Sequence, residues 1–294
     1  VVLDRQQGGK EILESKGFRV HTLFTISEVC EMLKEEGHLT DDEVERINDF
    51  LTGNVVRFEE EKRLSYEEKL EICDHTVAQK LLQIALEKKS NLIVSADVTT
   101  TKELLELAEK VGPHIVDQTI LPLKDLAQKY NFLIMEDRKF ADIGNTQELQ
   151  FAYGTYKISN WADLVTAQVI AGYESLDCFR NVGVVAIIGM SSHGNLTDQN
   201  YRDEATKIAL SHPNVFGGVS QNKIPNELLL FTPGVNLAHT GDGKGQQYNT
   251  PEHAFTKLES DFIIVGRGIY KADDAEQSAL TYKIAGWNAY EASL

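Results

Sequence analysis

The sequence predicts an α/β fold, a (β/α)₈ TIM barrel preceded by a small α/β fragment. From Cys73 onward, short apolar runs rich in β-branched residues alternate with helical segments. Strands that are apolar on both faces and separated by helices are typical of a parallel sheet covered by helices. Roughly 220 residues of this pattern suit a closed barrel, whose active site lies at the carboxyl ends of the strands. A doubly wound open sheet is the alternative.

Seven such runs are visible, and a closed barrel of this kind needs eight strands. The runs lie at 91–97, 132–137, 163–169, 184–190, 214–220, 228–235 and 261–268. The deficit falls between two predicted helices, 100–112 and 117–130, where only "PHIV" (113–116) remains. We therefore predict a barrel in which the second strand is missing, which leaves two open strand edges.

Residues 1–52 predict a separate small α/β block. "VVLD" and "FRVHTLF" have the pattern of strands, and "RQQGGKEILESKG" is a glycine-containing turn that enters a helix. Thr25, followed three residues later by Glu28, fits a capping box at the start of the next helix, and "TDDEVERINDFL" predicts another. The charged, weakly periodic stretch 53–70 predicts a linker. The expected domains are therefore 1–60, including linker, and 61–294.

Composition excludes several classes of function. The formal net charge of −16 argues against a broad nucleic-acid or anionic-membrane surface. No apolar run approaches the roughly 20 residues that span a bilayer, and no signal peptide is visible. Three widely spaced cysteines fit a reducing, cytoplasmic setting and have no metal-ligand spacing. Because the chain starts at Val1 within a strand pattern, we expect the natural N-terminus to lie upstream.

The stretch "IMEDRKFADIGNT" (134–146) carries the strongest chemical signal. Asp137 and Lys139 are two apart at the end of a buried strand, so their side chains should point to the same side. Asp142 follows where the chain has left the strand. An ammonium held between carboxylates can deliver a proton to a carbon on which negative charge develops. The alternative is an exposed ion-pair ladder at a sheet edge.

Six segments in this order resemble one known family. They are "SADV" (95–98), "EDRKFADIGNT" (136–146), "MSS" (190–192), "TPGV" (232–235), "GQQY" (245–248) and "IIVGRG" (263–268). The set resembles the orotidine 5′-monophosphate decarboxylases, in the form found as the C-terminal half of animal UMP synthase. "EDRKFADIGNT" carries most of the specificity.

The resemblance implies three catalytic residues. Lys139 would be the proton donor to C6 of the pyrimidine, and Asp137 the carboxylate that holds Lys139 and crowds the substrate carboxylate. Asp142 matches an acid that the neighbouring subunit supplies, with Ile143 and Thr146 beside it. This arrangement implies a homodimer with shared active sites.

The remaining matched positions imply substrate contacts. Asp97 matches a ribose-binding acid and Ser191 a residue that recognises the pyrimidine amide edge. The phosphate side is represented by a glycine-rich strand end and a glycine-rich loop, in which small residues let backbone N–H groups approach an anion. The residues expected on the phosphate side are Gln246, Tyr248, Gly266 and Arg267. Pro233, which begins the loop after the seventh strand, is also expected to bind substrate.

The implied function is decarboxylation of orotidine 5′-monophosphate to UMP, the last step of pyrimidine synthesis, without cofactor or metal. The substrate is a nucleotide monophosphate, and its remote phosphate and ribose contacts supply binding energy for the reaction. The alternatives are an inactive remnant that binds nucleotide, and a related metal-dependent sugar-phosphate decarboxylase or aldolase barrel.

The sequence departs from the family at its second strand, where the "K-T-H-x-D" motif is absent. Without that lysine, Lys139 would be the one ammonium among Asp97, Asp137 and Asp142, and like charges would disturb each other. A second, smaller gap is expected at Gly183–Val184. We therefore expect weak or absent catalysis from this exact chain. Skipped coding sequence, a splice variant or a loss of activity would each account for the gap.

The first block resembles the last strands and helix of orotate phosphoribosyltransferase, the N-terminal half of the multifunctional UMP synthase. "LDRQQGGK" (3–10) carries the match. The acidic loop that would bind the diphosphate-ribose donor is not present in the chain, so no transferase activity is expected from it.

Overall fold

The computed structural model describes residues 3–4, 6–7, 9–15, 18–53, 63–112, 123–237 and 249–294. The chain divides into two compact units, Val1–Lys62 and Arg63–Leu294. Each unit is described by itself.

The first unit combines a two-stranded parallel sheet with three helices. Strand β1 (Leu3–Asp4) pairs with β2 (Phe24–Thr25), and the helices are α1 (Gly9–Ser15), α2 (Ile26–Glu35) and α3 (Asp41–Gly53). The predicted capping box is confirmed, because the Glu28 amide donates to Thr25 Oγ1 and the Thr25 amide donates to Glu28 Oε2. The predicted second strand was too long. Of the predicted strand, the last residue, Phe24, belongs to β2, which pairs with the described part of β1 through Phe24 and Thr25.

In the described residues, the second unit is built on an all-parallel sheet of seven strands. Its strands are β3 (Leu92–Val94), β4 (Met135–Phe140), β5 (Leu164–Gln168), β6 (Gly183–Ile187), β7 (Val215–Val219), β8 (Leu229–Thr232) and β9 (Phe262–Val265). These correspond to the seven predicted runs. Strand β4 is displaced, because it starts three residues after the predicted start and continues to Phe140.

Helices accompany the sheet along the chain. They are α4 (Tyr66–Ile72), α5 (Thr76–Lys88), α6 (Thr101–Val111), α7 (Leu123–Tyr130), α8 (Gly144–Glu148), α9 (Gln199–Ser211), α10 (Pro251–Thr256), α11 (Arg267–Tyr270) and α12 (Ala275–Glu291). Among the described residues, the connections also contain a π-helical turn (Leu149–Tyr153) and 3₁₀ turns at Ile158–Asn160 and Tyr173–Cys178. Among the described residues, no helix is both long and apolar enough to cross a membrane.

Helix α4 corrects the predicted linker. Residues 53–70 were expected to form no regular structure, yet a helix begins at Tyr66, behind a second capping box made by Ser65 and Glu68. The periodicity was weak because the helix is short and its buried face includes a charged residue. Arg63, just before it, is also buried and donates to the carbonyl oxygens of Phe255 (2.7 Å) and Ser260 (2.5 Å).

Strand order identifies a barrel-type α/β fold. The order is β3-β9-β8-β7-β6-β5-β4, so the first strand of the unit pairs with the last. In doubly wound open sheets the first strand lies inside the sheet, beside early strands, so that alternative is wrong. Within the described residues, β3 and β4 form the two ends of the sheet. The segment "PHIV" (113–116), on which the missing-strand prediction rests, lies outside the described residues.

Candidate functional site

A cavity of about 360 Å³ lies where the carboxyl ends of the parallel strands converge. The predicted residues that line it are Asp97, Asp137, Lys139, Ser191, Pro233, Gly266 and Arg267. They come from positions at or just after strands β3, β4, β6, β8 and β9. Residues about 170 apart in the chain therefore meet because parallel strands end at the same edge.

The reactive pair of the cavity is Lys139 and Asp137. The Lys139 ammonium Nζ donates to Asp137 Oδ2 at 2.7 Å. Their side chains remain 36% and 51% exposed, so both face open space rather than the core. A ligand in the cavity would therefore meet an ammonium group, which can donate a proton, directly beside a carboxylate.

A bulge in β4, rather than regular strand alternation, brings this pair together. Glu136 pairs with Val165 and Phe140 pairs with Ala167, so three residues of β4 lie opposite one residue of β5. Lys139 adopts a left-handed backbone conformation, with φ of +54°, which is costly for a residue with a side chain. The prediction of contact is confirmed, but the geometry that produces it was not predicted.

The one residue opposite the bulge is Thr166, which sequence reasoning missed. The Lys139 amide donates to Thr166 Oγ1 at 3.0 Å, and that hydroxyl donates to Asp137 Oδ1 at 2.8 Å. Thr166 itself is buried, with 1% of its surface exposed. The signal in the sequence is weak: Thr166 is a polar residue in the middle of the mostly apolar run "DLVTAQV".

Asp97 provides the second carboxylate of the cavity. It follows β3, and Ser95 Oγ donates to Asp97 Oδ1 at 3.4 Å. Ser95 also lines the cavity and was not predicted. Within one chain, the Lys139 ammonium makes its described ion pair with Asp137.

Two glycines and one guanidinium form another part of the cavity wall. Gly266 and Gly268 flank Arg267, where β9 ends and α11 begins. Gly268 packs so closely that an added Cβ would collide with the Tyr282 hydroxyl. Small residues bring the backbone close to a ligand, and the guanidinium of Arg267 favours an anionic group such as a phosphate.

Ser191 is carried by a short loop after β6. The Met190 amide donates to Thr197 Oγ1 at 3.0 Å, and Asn195 Nδ2 donates to the Met190 carbonyl at 3.1 Å. These bonds tie both ends of the loop together and hold Ser191 in the wall of the cavity. A hydroxyl there can donate to or accept from a ligand.

Three predicted residues do not line this cavity. Asp142, Ile143 and Thr146 lie in the loop after β4 and in α8. The Asp142 amide donates to Gln147 Oε1 at 3.1 Å, and buried Gln147 anchors the loop by donating to the Ser175 carbonyl at 2.6 Å. Ile143 is 67% exposed. The remaining two predicted residues, Gln246 and Tyr248, lie outside the described residues.

The donor set of the site is that of an organic anion site. Among the described lining residues, it contains the Lys139 ammonium, the Arg267 guanidinium, the carboxylates of Asp97 and Asp137, hydroxyls and glycine backbone. In the described part of the chain, no group of three or more histidine, cysteine, aspartate or glutamate side chains is placed to hold a metal ion.

A parallel α/β barrel-type sheet with a lysine–aspartate pair at its carboxyl edge defines this unit as an enzyme of the barrel class. A sequence profile described as "Orotidine 5′-phosphate decarboxylase / HUMPS family" matches residues 90–282. The chain belongs to this family.

Curated relatives agree with this assignment. The chain is 36% identical to the uridine 5′-monophosphate synthase of Bos taurus over 324 residues, which cover 99% of this chain and 68% of that protein. It is 42% identical to the orotidine 5′-phosphate decarboxylase of Solorina crocea over 265 residues, which cover 78% of this chain and 94% of that protein.

Solved structures share the fold. The orotidine 5′-phosphate decarboxylase of Pyrococcus horikoshii OT3 superposes with a TM-score of 0.53 at 20% identity, over 68% of this chain and 99% of that chain. The orotidine 5′-monophosphate decarboxylase of Methanocaldococcus jannaschii, complexed with the inhibitor BMP, superposes with a TM-score of 0.53 at 21% identity. The match covers 67% of this chain and 98% of that chain.

Proposed function

We propose that the second unit catalyses decarboxylation of orotidine 5′-monophosphate to UMP, as a carboxy-lyase of de novo pyrimidine synthesis. The observation that carries the proposal is the Lys139 ammonium held on Asp137 inside a cavity that also contains Arg267 and the two glycines that flank it. The names of the relatives support this reaction over the metal-dependent sugar-phosphate alternative.

In the proposed reaction, Lys139 acts at C6 of the pyrimidine, and Asp137 acts on the carboxylate that C6 carries. The bond between C6 of the pyrimidine and its carboxyl carbon breaks, CO₂ leaves, and the electron pair stays on C6. The Lys139 ammonium lies where the negative charge develops and donates its proton to C6. Asp137 keeps the ammonium in place and repels the substrate carboxylate, so the site favours the transition state over the ground state.

Other residues of the cavity hold the rest of the nucleotide. Arg267 and the amides beside Gly266 bind the phosphate, Asp97 binds the ribose hydroxyls, and Ser191 binds the pyrimidine amide edge. Pro233 closes the cavity behind the base. Binding energy from these non-reacting parts holds the substrate against the local repulsion. Gln246 and Tyr248 are proposed as further phosphate contacts.

The test follows the ultraviolet absorbance of orotidine 5′-monophosphate on incubation with the protein. We expect loss of the orotate-type absorbance and release of CO₂, and we expect Lys139→Ala to lower kcat by at least about a hundredfold. Lys102→Ala, at a side chain 84% exposed on α6, serves as the control. Activity that disappears in a chelator would instead support the metal-dependent alternative.

We also propose that the barrel lacks its second strand. Alignment with the Bos taurus protein extends over 324 residues, whereas this chain has 294, so that relative has about 30 or more residues that are absent here. About 30 residues are more than one strand needs, which fits the second gap expected at Gly183–Val184 as well. We expect weak turnover from this chain, and strong turnover once the relative's second strand is inserted after Gly112. A restored chain without turnover would contradict the proposed function.

The first unit is proposed to be a remnant of an orotate phosphoribosyltransferase-like domain, with domains at 1–60 and 61–294. Uridine 5′-monophosphate synthases match 99% of the chain, whereas the Solorina crocea decarboxylase matches 78%, a share similar to the second unit alone. No transferase activity is expected, and incubation with orotate and phosphoribosyl diphosphate should give no nucleotide.

We propose a homodimer with shared sites, in the cytoplasm. Asp142 lies outside its own cavity while the loop beside it exposes apolar side chains, which fits a surface that completes the site of a second copy. Exposed apolar residues in and just after this loop are Ile143, Leu149 and Tyr153. Three free cysteines support a reducing compartment.

A further inference from the structure

The β4 bulge leaves backbone groups that need partners other than the sheet ladder. Asp137, Arg138 and Lys139 all lie opposite Thr166, and one residue cannot supply backbone hydrogen bonds for three. Extra residues in a bulge leave the ladder locally interrupted. The Lys139 amide finds its acceptor in a side chain, Thr166 Oγ1, at 3.0 Å.

The direction of each hydrogen bond around Thr166 is fixed by chemistry. An amide N–H can only donate, so Thr166 Oγ1 accepts from Lys139. The hydroxyl then has one proton of its own, which it donates to Asp137 Oδ1 at 2.8 Å. The other oxygen, Oδ2, accepts from the Lys139 ammonium at 2.7 Å. Three hydrogen bonds thus form a closed ring through the backbone and side chain of Lys139.

Thr166 is well suited to hold this ring. It is buried, and its branched Cβ restricts rotation about χ1. It belongs to β5, which pairs regularly with β6 on its other side, Thr166 lying opposite Val185. Thr166 is also not among the described residues that line the cavity. Thr166 therefore contacts Asp137 and Lys139 from outside the cavity, and it belongs to a strand that is paired on both sides.

The backbone of Lys139 shows why support is needed. Its φ of +54° is unfavourable for a residue with a side chain, and such conformations persist where the surroundings enforce them. The bond from the Lys139 amide to Thr166 is the described contact that fixes this peptide against β5.

We propose that Thr166 is a positioning residue, which orients Asp137 and Lys139 for proton transfer without touching the substrate. The functional part of this inference rests on the proposed decarboxylase function. The structural part, that the Thr166 hydroxyl holds the Lys139 backbone, stands on the contacts alone. Loss of the hydroxyl frees the ring at two points, whereas loss of the methyl group leaves the ring closed.

The test compares three variants of the full chain. Thr166→Val keeps the shape and removes the hydroxyl, and Thr166→Ser keeps the hydroxyl. Thr206→Val is the matched control, because Thr206 Oγ1 donates to the Arg202 carbonyl at 2.8 Å within α9, away from the cavity. Thermal unfolding of each variant identifies any that fail to fold.

The first measurement is amide hydrogen exchange by NMR without ligand. We expect the Lys139 amide to exchange about tenfold faster or more in Thr166→Val, because its acceptor is gone, and at the original rate in Thr166→Ser and Thr206→Val. Unchanged Lys139 exchange in a folded Thr166→Val would overturn the structural part.

The second measurement is turnover of orotidine 5′-monophosphate relative to the unsubstituted chain. We expect kcat to fall about tenfold to a hundredfold in Thr166→Val with little change in KM, because misplaced reacting groups slow chemistry more than binding. Thr166→Ser should restore most of kcat. Equal kcat in Thr166→Val and the unsubstituted chain would overturn the functional part. An unsubstituted chain without turnover would contradict the proposed function for this chain, while hydrogen exchange still decides whether Thr166 holds Lys139.

Discussion

Lys69 and Asp261 form an ion pair inside the second unit, at the amino end of the sheet. Lys69 Nζ lies 2.9 Å from Asp261 Oδ2, and the two side chains are 5% and 1% exposed. The same carboxylate oxygen accepts from the Leu230 amide at 2.8 Å. Helix α4 is thereby linked to β8 and to the residue before β9. These contacts fix the position of a helix of only seven residues against the sheet.

Removing one partner of this pair should be strongly destabilising. Lys69→Met leaves the Asp261 carboxylate buried without its counter-charge, and we expect a loss of about 3–5 kcal/mol in the free energy of unfolding. Urea denaturation measures the change. Lys207→Met is the control, because Lys207 pairs with Glu204 at the surface and should cost less than about 1 kcal/mol. Similar effects of the two substitutions would show that the buried pair contributes no more than a surface pair.

Arg267 should recognise the phosphate rather than the nucleoside. For Arg267→Ala we expect UMP binding to weaken about tenfold to a hundredfold, the value of a charge-assisted hydrogen bond. Uridine, which lacks the phosphate, should bind the variant and the unsubstituted chain equally well. Calorimetric titration with both ligands separates the two effects. A parallel loss of uridine affinity would place Arg267 against another part of the ligand.

Subunit mixing tests whether two chains share each site. Lys139→Ala and Asp142→Ala should each be inactive alone, because each removes one group from every site. If Asp142 completes the partner's cavity, refolding the two variants together gives hybrid dimers with one intact site. Random pairing should then restore about a quarter of the original activity. Recovery of no activity from a mixture that is dimeric by ultracentrifugation would place Asp142 in its own chain's site.

Lys88 should make stability depend on pH. Burial, with a smaller effect of the nearby Lys283 cation, lowers the pKa of Lys88 to about 8, while its Nζ donates to the Gly112 carbonyl at 3.1 Å. Its pKa in the unfolded chain is near 10.4. The unfolded state therefore binds more protons between these values, and the charged lysine destabilises the fold fully below pH 8. This cost disappears as pH rises from about 8 toward 10.4.

Lys88→Met isolates this contribution. We compare the free energies of unfolding of Lys88→Met and the unsubstituted chain. The advantage of the variant should be largest at pH 7 and should decrease steadily between pH 8 and 9.5, as the unsubstituted chain becomes more stable. Urea denaturation at each pH measures it, with Lys102→Met on the exposed face of α6 as the control. A difference that stays constant across this range would show that Lys88 ionises alike in both states.

Much of the fold could be predicted because buried parallel strands leave a strong pattern. All seven apolar runs of the second unit are strands, and "EDRKFADIGNT" identified the pair formed by Asp137 and Lys139. Both observations are local in the sequence. Helix α4 was missed because Lys69, on its buried face, obtains its partner Asp261 from a segment 192 residues away.

The bulge and Thr166 could not be predicted for a different reason. A strand sequence does not state its register against a neighbour, and register depends on how both strands pack. Thr166 Oγ1 can bond Asp137 and Lys139 only because the bulge of β4 places them opposite it. A lone threonine in an apolar strand is ordinary, so its importance becomes visible only when the pairing of β4 with β5 is known.

The left-handed backbone at Lys139 has an evolutionary consequence. Glycine would accept φ of +54° without strain, so Lys139→Gly should unfold at higher urea than Lys139→Ala, by about 1–2 kcal/mol in free energy. Mutation under selection for folding alone would therefore favour glycine at this position. A lysine retained there is a mark of continuing selection on chemistry, and a lineage that had abandoned the reaction would be expected to lose this side chain early.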